Sequence, residues 1–510
     1  MSRTSNSIKN SEIAILFYFL EIILGFFSRK VFIDYIGAEV LGLNTTANNL
    51  LQFLNLAEMG IGSAIAFTLY KPISQHNNHE IREIIQVQGW LYKKISLCVS
   101  IGAIILMLFF PLIFKKITIP LWYAYASFGV LLYTSLLTYF WNYRQIILTA
   151  SQKEYKITLS YKFIIIIKQI VQILAIVYLS NGYEWWLGLQ VIFATLASYN
   201  LNRVISREFP YLKGLKTNVK GIVANKYSAL VKKIKQLFFH KFAGYVLNQT
   251  SPLIIYAYTT LTAVAVYGNY MLIVSGVTML LTAMFNGVAA SVGDLISEGN
   301  KERTLTIFRE LFTARFYVTT IAISCILMTI NDFITLWVGS EYLFPEITIY
   351  IILGIMYINT MRTVVDNFIF GLGMFQDIWA PMAEAAINII LSITLGYFFG
   401  INGILSGVLI SLFLIVFLWK PIFLFHFGIK SSILKYYVFY LKHIAIFLLS
   451  LFLLHFLLEK MHIIVTSYSL WLLKIAVIFV AMGSFELIML YTVCESMRQF
   501  VMRVKKILRR

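Results

Sequence analysis

The chain carries about 14 apolar runs, each long enough to cross a lipid bilayer as a helix. A spanning helix needs roughly 20 mainly apolar residues, whereas a spanning β-strand needs only about ten alternating ones. The runs are continuous rather than alternating, so the sequence predicts helices and not a barrel. Their approximate limits are 12–36, 42–70, 86–114, 119–148, 156–180, 184–204, 236–258, 262–293, 304–330, 345–370, 376–399, 402–425, 436–458 and 466–494.

The composition fits a chain that is solvated by lipid. Hydrophobic residues make up 59% of the 510 residues and charged residues only 13%. A soluble protein this apolar would expose adhesive surface everywhere. The net charge of +19 would suggest nucleic acid in a soluble protein, but here Lys and Arg lie mainly between the apolar runs. We therefore attribute the charge to membrane topology and to anionic lipid headgroups, and we expect no nucleic-acid partner.

The basic residues between the runs predict the orientation. Short cytoplasmic loops are enriched in Lys and Arg. The N-terminus, most even-numbered loops and the C-terminal tail are basic, and the longest of these loops, 203–241, has a single acid, Glu208. The odd-numbered loops contain few bases, with Lys115, Lys116 and Lys460 as exceptions. We expect both termini in the cytoplasm of a bacterium, the protein in its inner membrane, and the first apolar run retained because no cleavage pattern follows it.

A weak internal repeat predicts two lobes. Residues 39–42 resemble 265–268, and residues 73–80 resemble 296–302, both at an offset of about 225 residues. Six runs lie within that offset, and an even number returns the chain to the same side, so the repeats are parallel. We therefore predict an all-α polytopic membrane protein with two pseudo-symmetric six-helix lobes and two additional C-terminal helices. The predicted divisions are an N-terminal lobe at 1–204, a basic cytoplasmic linker at 205–235, a C-terminal lobe at 236–427, and two additional helices with a basic tail at 428–510.

Charged residues inside the apolar runs are the main candidates for a functional site. A charge at membrane depth costs about 2.5–3.5 kcal/mol on insertion scales, so it tends to mark a cavity or a pathway. Arg362 and Asp366 are one helical turn apart, and an intrahelical pair that lowers the insertion cost explains them equally well. The full set of substrate-binding candidates is Arg29, Lys168, Arg362, Glu21, Glu58, Asp366 and Glu384, with Asn248, Gln249 and Asn269 beside several tyrosines as a candidate sugar path.

The sequence contains no motif for nucleotide hydrolysis or metal binding. A Gly-x4-Gly-Lys-Ser/Thr loop is absent. His76 and His79 lie in a polar loop without a nearby Cys, and Cys98, Cys325 and Cys494 are isolated within or beside apolar runs. No segment is long enough for a glycosyltransferase domain, nor for the large outer loop of a polysaccharide polymerase or ligase. We expect a protein that is not an enzyme and that uses no cofactor or metal.

Residues 22–97 resemble a known family. The stretch 27–44, then Ala-Glu-Met-Gly-Ile-Gly-Ser-Ala-Ile at 57–65 and Leu-Tyr-Lys-Pro at 69–72, is similar to the beginning of Wzx-type polysaccharide flippases. Residues 294–300 resemble the matching position in the second half of those proteins. The resemblance is strong in about a sixth of the chain and extends over the rest in layout. It places the chain in the multidrug/oligosaccharidyl-lipid/polysaccharide exporter superfamily.

The resemblance implies alternating access in a helical transporter whose two lobes surround a central cavity. It implies that the substrate is an undecaprenyl-diphosphate-linked oligosaccharide for surface polysaccharide such as O-antigen, with Na⁺ or H⁺ as the coupling ion and polysaccharide assembly proteins as partners. Arg29, Lys168 and Arg362 would supply positive charge for the diphosphate. The intramembrane acids leave the sign of the cavity charge open.

Three alternatives remain beside this interpretation. A cation-coupled multidrug antiporter of the same superfamily would have an acidic cavity and usually two fewer helices. A membrane-embedded polysaccharide polymerase or ligase would need a larger outer loop. A lipid-linked peptidoglycan-precursor flippase shares the layout, but the segment 69–72 favours the polysaccharide branch.

Overall fold

The computed structural model consists of α-helices joined by short turns. It describes residues 3–58, 61–212, 214, 250–285, 292, 295–296, 299–374, 376–377 and 379–508, and these contain no β-strand. Within these ranges, nine helices are long and apolar enough to cross a membrane. The predicted all-α polytopic membrane fold is therefore confirmed.

The chain divides into two compact units, Met1–Ala265 and Val266–Arg510. The predicted lobe boundaries at 204 and 236 remain predictions, because most of the basic linker lies outside the described residues. The helices of the first unit are α1 (Arg3–Tyr35), α2 (Ala38–Leu54), α3 (Ile61–Ser74), α4 (Asn78–Leu108), α5 (Trp122–Phe140), α6 (Phe163–Tyr178), α7 (Gly182–Glu208), α8 (Ser251–Tyr258) and the beginning of α9 (Leu261–Met284).

Several predicted spans of the first unit are not continuous helices. The run 42–70 is divided by a 3₁₀ turn at Asn55–Glu58, and α3 begins at Ile61. The run 156–180 begins with one helical turn and a π-helical turn at Thr158–Lys162 before α6. Polar residues occur at both interruptions, Asn55 and Glu58 in the first and Lys162 in the second, but a charge within an apolar run does not by itself indicate a change in backbone geometry. Single π-turns within helices often occur at functional sites.

The helices of the second unit follow the predicted spans closely. They are the remainder of α9, α10 (Lys301–Trp337), α11 (Glu346–Gly371), α12 (Trp379–Leu412), α13 (Ile433–Met461), α14 (Tyr468–Val493) and α15 (Glu495–Leu508). Between α12 and α13 the chain continues through two π-helical segments, Phe413–Trp419 and Leu424–Ile429, on either side of the short helix Lys420–Phe423.

Helix α12 extends through the predicted span 376–399 and into the span 402–425 as far as Leu412, and it reverses direction between them. Gly400 has φ 55°, which is outside the helical region. A Cβ atom on Gly403 would lie 2.0 Å from the Leu395 carbonyl oxygen, and one on Gly407 would lie 2.4 Å from the Ser392 nitrogen. Glycine at these positions therefore allows the two arms of the hairpin to pack backbone against backbone, as small residues do between membrane helices.

The basic tail forms the ordered helix α15, which packs on the second unit. Met497 is buried in a cluster with Ile446 and Leu490. Arg503 donates two hydrogen bonds, of 2.8 and 3.0 Å, to the buried carboxylate of Glu310 on α10. The tail is thus part of the folded unit, a feature that its charge alone does not predict.

Candidate functional site

A large polar cavity lies within the first unit. Its volume is about 890 Å³, and it is bounded by α2, α3, α5, α6 and α7 together with the short helix Ile146–Ala150. A volume of this order matches the size of small-molecule binding sites. The polar and charged residues that line it are Asn48, Gln52, Asn55, Glu58, Ser63, Thr134, Ser135, Thr138, Tyr139, Thr149, Tyr161, Lys168 and Gln190.

One polar wall of the cavity comes from α2 and the 3₁₀ turn that follows it. Asn48, Gln52 and Asn55 are spaced by four and three residues, so they lie on one helix face. The side-chain oxygen of Asn55 accepts hydrogen bonds from Ser135 at 3.1 Å and from Tyr139 at 2.8 Å. These bonds fix the turn against α5 and hold the polar side chains at the cavity.

The facing stripe on α5 follows the same helical spacing. Leu131, Thr134, Ser135, Thr138 and Tyr139 recur at intervals of three and four residues, and all five line the cavity. The helix is otherwise strongly apolar, so a single narrow stripe carries its polarity. Because the hydroxyls of Ser135 and Tyr139 already donate to Asn55, they offer hydrogen-bond acceptors to a polyhydroxylated or otherwise polar ligand.

Lys168 supplies positive charge to the cavity. Its ammonium group donates a hydrogen bond of 2.6 Å to the side-chain oxygen of Gln190 on α7. Gln172, one turn further along α6, donates to the Trp186 carbonyl oxygen at 2.8 Å and to Gln190 at 3.5 Å. Gln190 is neutral, so it orients the ammonium group while its positive charge remains available to a ligand.

Glu58 lies in the same cavity at the end of the 3₁₀ turn. The hydroxyl of Tyr92 on α4 donates a hydrogen bond of 2.6 Å to the Glu58 carboxyl. Tyr92 also stacks with Tyr139, which lines the cavity, with ring centroids 5.6 Å apart. The structure therefore brings together two of the sequence candidates, Lys168 and Glu58, which carry charges of opposite sign.

The other two candidates of the first unit lie elsewhere. The Glu21 carboxylate forms an ion pair of 3.1 Å with Lys162 in the π-turn, and both side chains are more than a third exposed. The Arg29 guanidinium donates a hydrogen bond of 2.8 Å to the Ala265 carbonyl oxygen. Neither residue is among those that line the polar cavity. The interpretation of Arg29 as a substrate ligand remains a prediction.

The candidates of the second unit form a network of charges. Arg362 donates to Glu384 at 3.1 and 3.4 Å and to Asp366 at 3.3 Å. Asp366 also pairs with Lys420, and Glu384 is completely buried. Arg362 and Asp366 are thus part of a contact between helices α11 and α12 and are not only an intrahelical pair. The two bases and two acids balance, so the network as a whole is neutral.

The candidate sugar path around Asn248, Gln249 and Asn269 remains a prediction. Asn269 is completely buried within α9. Asn248 and Gln249 lie outside the described residues. Of the neighbouring tyrosines, Tyr256 donates to the Ile113 carbonyl oxygen and Tyr270 to Asn331, so both hydroxyls participate in helix packing.

Sequence reasoning did not identify most of the cavity lining. The hydroxyl stripe of α5 and the amides of α2 carry no charge, so a search for buried charges passes over them. Their three- and four-residue spacing within apolar runs is the signal that identifies them. Lys420 is not among the sequence candidates either. It lies near the end of the predicted run 402–425, where a lysine side chain can reach the lipid headgroups.

Comparisons with known proteins reveal the fold of the chain. No protein-family profile matches the sequence, and no curated protein sequence does. A solved structure described as the lipid II flippase MurJ in an inward closed conformation has a TM-score of 0.67 and 15% identity, covering 94% of this chain and 99% of that chain. An inward-facing multidrug resistance MATE family transporter of the MOP superfamily has a TM-score of 0.55 and 14% identity, covering 80% of this chain and 94% of that one. The chain therefore has the fold that these two membrane transporters share.

Proposed function

We propose that this protein flips an undecaprenyl-diphosphate-linked oligosaccharide across the membrane by alternating access. The observation that carries the proposal is the polar cavity of the first unit, which places a lysine among amides and hydroxyls within apolar helices. A lipid-linked sugar has an anionic diphosphate that needs a cation, a sugar that needs hydrogen bonds, and a lipid tail that stays in the bilayer. Lys168 and the polar faces of α2 and α5 match the first two requirements.

The similar structures support the transport part of the proposal. One of them is described as a lipid II flippase and the other as a multidrug transporter, and both extend over most of this chain. At such low sequence identity, the structural similarity establishes only the fold. The substrate must therefore be inferred from the residues of this chain. The resemblance of residues 22–97 to polysaccharide flippases favours an oligosaccharide for surface polysaccharide over a peptidoglycan precursor.

A second candidate function is export of cationic drugs coupled to Na⁺ or H⁺. Glu58 favours it, because this carboxyl group lies in the same cavity and would attract an organic cation or a coupling ion. The two functions require opposite charges on the substrate. They therefore differ in which of the two residues, Lys168 or Glu58, binds the transported molecule.

The proposed membrane is the bacterial cytoplasmic membrane, with both termini on the cytoplasmic side. The basic loops and the basic helix α15 support this orientation. Green fluorescent protein, which folds in the cytoplasm, should be active when it is fused after α15. Alkaline phosphatase, which folds outside, should be active when it is inserted at Asn181, between α6 and α7. An inactive fluorescent protein after α15 together with an inactive phosphatase at Asn181 would show that the protein has the opposite orientation.

The substrate is tested in a strain from which the gene is deleted. We expect the strain to lose surface polysaccharide and to accumulate its lipid-linked precursor on the inner leaflet. The wild-type chain should restore both properties, and Lys168→Ala should restore neither at equal protein level. The matched control is Lys162→Ala, because Lys162 lies on the same segment but forms an ion pair with Glu21.

The drug-export candidate predicts a different result. In that case the deletion strain would keep its surface polysaccharide and become sensitive to cationic dyes, and Glu58→Gln would be the inactive variant. Purified protein in liposomes, supplied with a fluorescent diphosphate-linked sugar lipid, provides the direct measurement. Failure to move this lipid at a level of protein that transports a cationic dye would overturn the proposal.

A further inference from the structure

Arg315 is a buried arginine on α10 of the second unit, and it is not among the charged candidates of the sequence. Its exposure is 3%, and it lies well inside the predicted span 304–330. At 1.5 Å per residue it is about 7 Å further along the helix than Glu310, where α15 packs. A guanidinium group stays protonated in proteins, so a full positive charge is held here within the helices.

The hydrogen bonds of Arg315 leave part of its guanidinium group unsatisfied. Its Nε–H donates to the Thr360 carbonyl oxygen on α11 at 2.9 Å. Its Nη2 is buried and has no acceptor in the described part of the chain. Its Cζ atom lies over the ring of Phe285, 4.8 Å from the ring centroid. These contacts orient the group but provide no negative charge.

Other arginines of the same unit show what such a charge normally requires. Arg362 contacts two carboxylates, and Arg503 forms a double hydrogen bond with Glu310. No ion pair between Arg315 and a carboxylate occurs in the ranges that the structure covers. A buried charge without a counter-charge is strongly destabilising, and none of the residues that the structure describes supplies one to Arg315.

A small cavity adjoins this group. Its volume is about 10 Å³, which is enough for one species of the size of a water molecule. Among the residues that the structure describes, the polar ones in its lining are Arg315 and Asn367, and the apolar ones are Phe285, Leu311, Val364 and Phe368. A water molecule would accept a hydrogen bond but would not balance the charge. A phosphate group is too large for this space.

We propose that Arg315 and Asn367 form a buried site for one small inorganic anion, in the size class of chloride. The anion accepts hydrogen bonds from Nη2 of Arg315 and from the Asn367 amide, and its charge compensates the guanidinium group. The apolar walls strengthen this attraction, because they keep the local dielectric constant low. The site would stabilise the contact between α10 and α11, and it does not depend on which substrate is transported.

The test measures the stability of the purified, full-length protein while chloride replaces gluconate at constant ionic strength. We expect a saturable rise of the unfolding temperature with chloride for the wild-type chain. Arg315→Met should lose the chloride-dependent rise, and the matched control Arg309→Met, on the same helix, should keep it. Crystals soaked in bromide should show an anomalous peak between Arg315 and Asn367.

A second variant keeps the test decisive if Arg315→Met does not fold. Asn367→Asp places a carboxylate beside Arg315 and thus tethers the missing negative charge. It should unfold at a higher temperature than the wild-type chain without chloride, and its half-saturating chloride concentration should rise at least about tenfold. An unchanged chloride response in Asn367→Asp, or a water molecule without bromide signal at this position, would overturn the proposal.

Discussion

The ammonium group of Lys168 donates a hydrogen bond of 2.6 Å to the side-chain oxygen of Gln190 at the edge of the polar cavity. This neutral partner offers a way to remove the charge of Lys168 without removing the lysine. In Gln190→Glu, a carboxylate takes the place of the amide oxygen and pairs with the ammonium group. For an anionic substrate we expect a loss of transport of at least tenfold, which corresponds to about 1.4 kcal/mol.

Gln190→Ala serves as the control for that variant. It removes the hydrogen bond but leaves the charge of Lys168 available, so most transport should remain. The readout is the rate of flipping of a diphosphate-linked sugar lipid in liposomes. Equal rates for Gln190→Glu and the wild-type chain would show that Lys168 does not bind the anionic group, and a higher rate for cationic dyes would favour drug export.

Removing one charge from the network of Arg362, Asp366, Glu384 and Lys420 should destabilise the protein more than removing an oppositely charged pair. Glu384→Met removes the buried acid that contacts Arg362 through both oxygens, and we expect a loss of about 3–5 kcal/mol. The double variant Arg362→Met with Glu384→Met should recover much of that loss, because no buried charge of this pair remains unpaired. The measurement is the unfolding temperature in detergent, in a double-mutant cycle.

The exposed pair Lys30–Asp34, 3.0 Å apart on α1, is the comparison for this cycle. Both of its side chains are about 40% exposed, so its removal should cost about 1 kcal/mol or less. If the single changes in the buried network cost no more than those in the exposed pair, the network does not stabilise the contact between α11 and α12.

Gly42 of α2 should not tolerate even a methyl group. A Cβ atom at this position would lie 1.8 Å from the carbonyl oxygen of Leu261, the first residue of α9. The obstacle is backbone and not a flexible side chain, so the two segments must separate. We expect Gly42→Ala to lose about 1–3 kcal/mol or more, together with folded yield after purification.

The matched control is Gly25→Ala on α1, where a Cβ atom would meet nothing within 4 Å. Replacing a glycine inside a helix by alanine should there raise stability by about 0.5–1 kcal/mol. Similar unfolding temperatures for the two variants would argue against the close approach of Gly42 and Leu261.

Glu208, at the end of α7 and beyond the predicted span, should make stability depend on acid pH. Its partial burial acts to raise the pKa of the carboxyl group, but hydrogen bonds and charges from Lys153 and Lys156 outweigh this effect. The net pKa in the folded protein is therefore lower than the ordinary value. Stability from this group is present above the unfolded pKa of about 4.3 and is lost as the pH falls through the folded pKa.

Unfolding temperatures between pH 7 and pH 3 should reveal this contribution. Glu208→Gln should be less stable than the wild-type chain at pH 7, and the difference should vanish at the acid end. Glu154→Gln changes an exposed acid nearby, and we expect it to leave the unfolding temperature unchanged at both pH 7 and pH 3. A Glu208→Gln curve parallel to the wild-type curve at every pH would show that the ion pairs contribute no net stability.

The sequence predicts the helical layout well, because the length of an apolar run reports directly on a membrane span. It also identifies Lys168 and Glu58, since a charge inside an apolar run is conspicuous. It does not reveal the break at Asn55–Glu58 or the π-turn at Thr158–Lys162, because a few polar residues within an apolar run do not indicate a change in backbone geometry. The groups that a buried charge contacts come largely from other helices, which the sequence does not identify. Arg29 and Arg362 therefore look alike in sequence, although Arg29 donates to a carbonyl oxygen and Arg362 contacts two carboxylates.

Helix α15 has a practical consequence for work with this protein. Its removal would take away Arg503, the partner of the buried Glu310, and Ser496, which exchanges a hydrogen bond of 2.7 Å with buried Thr313. A chain shortened to the end of α14 would thus retain an uncompensated carboxylate inside the second unit. Affinity tags and crystallisation variants should extend the chain beyond residue 508 and should not replace the tail, even though its composition resembles that of a dispensable appendage.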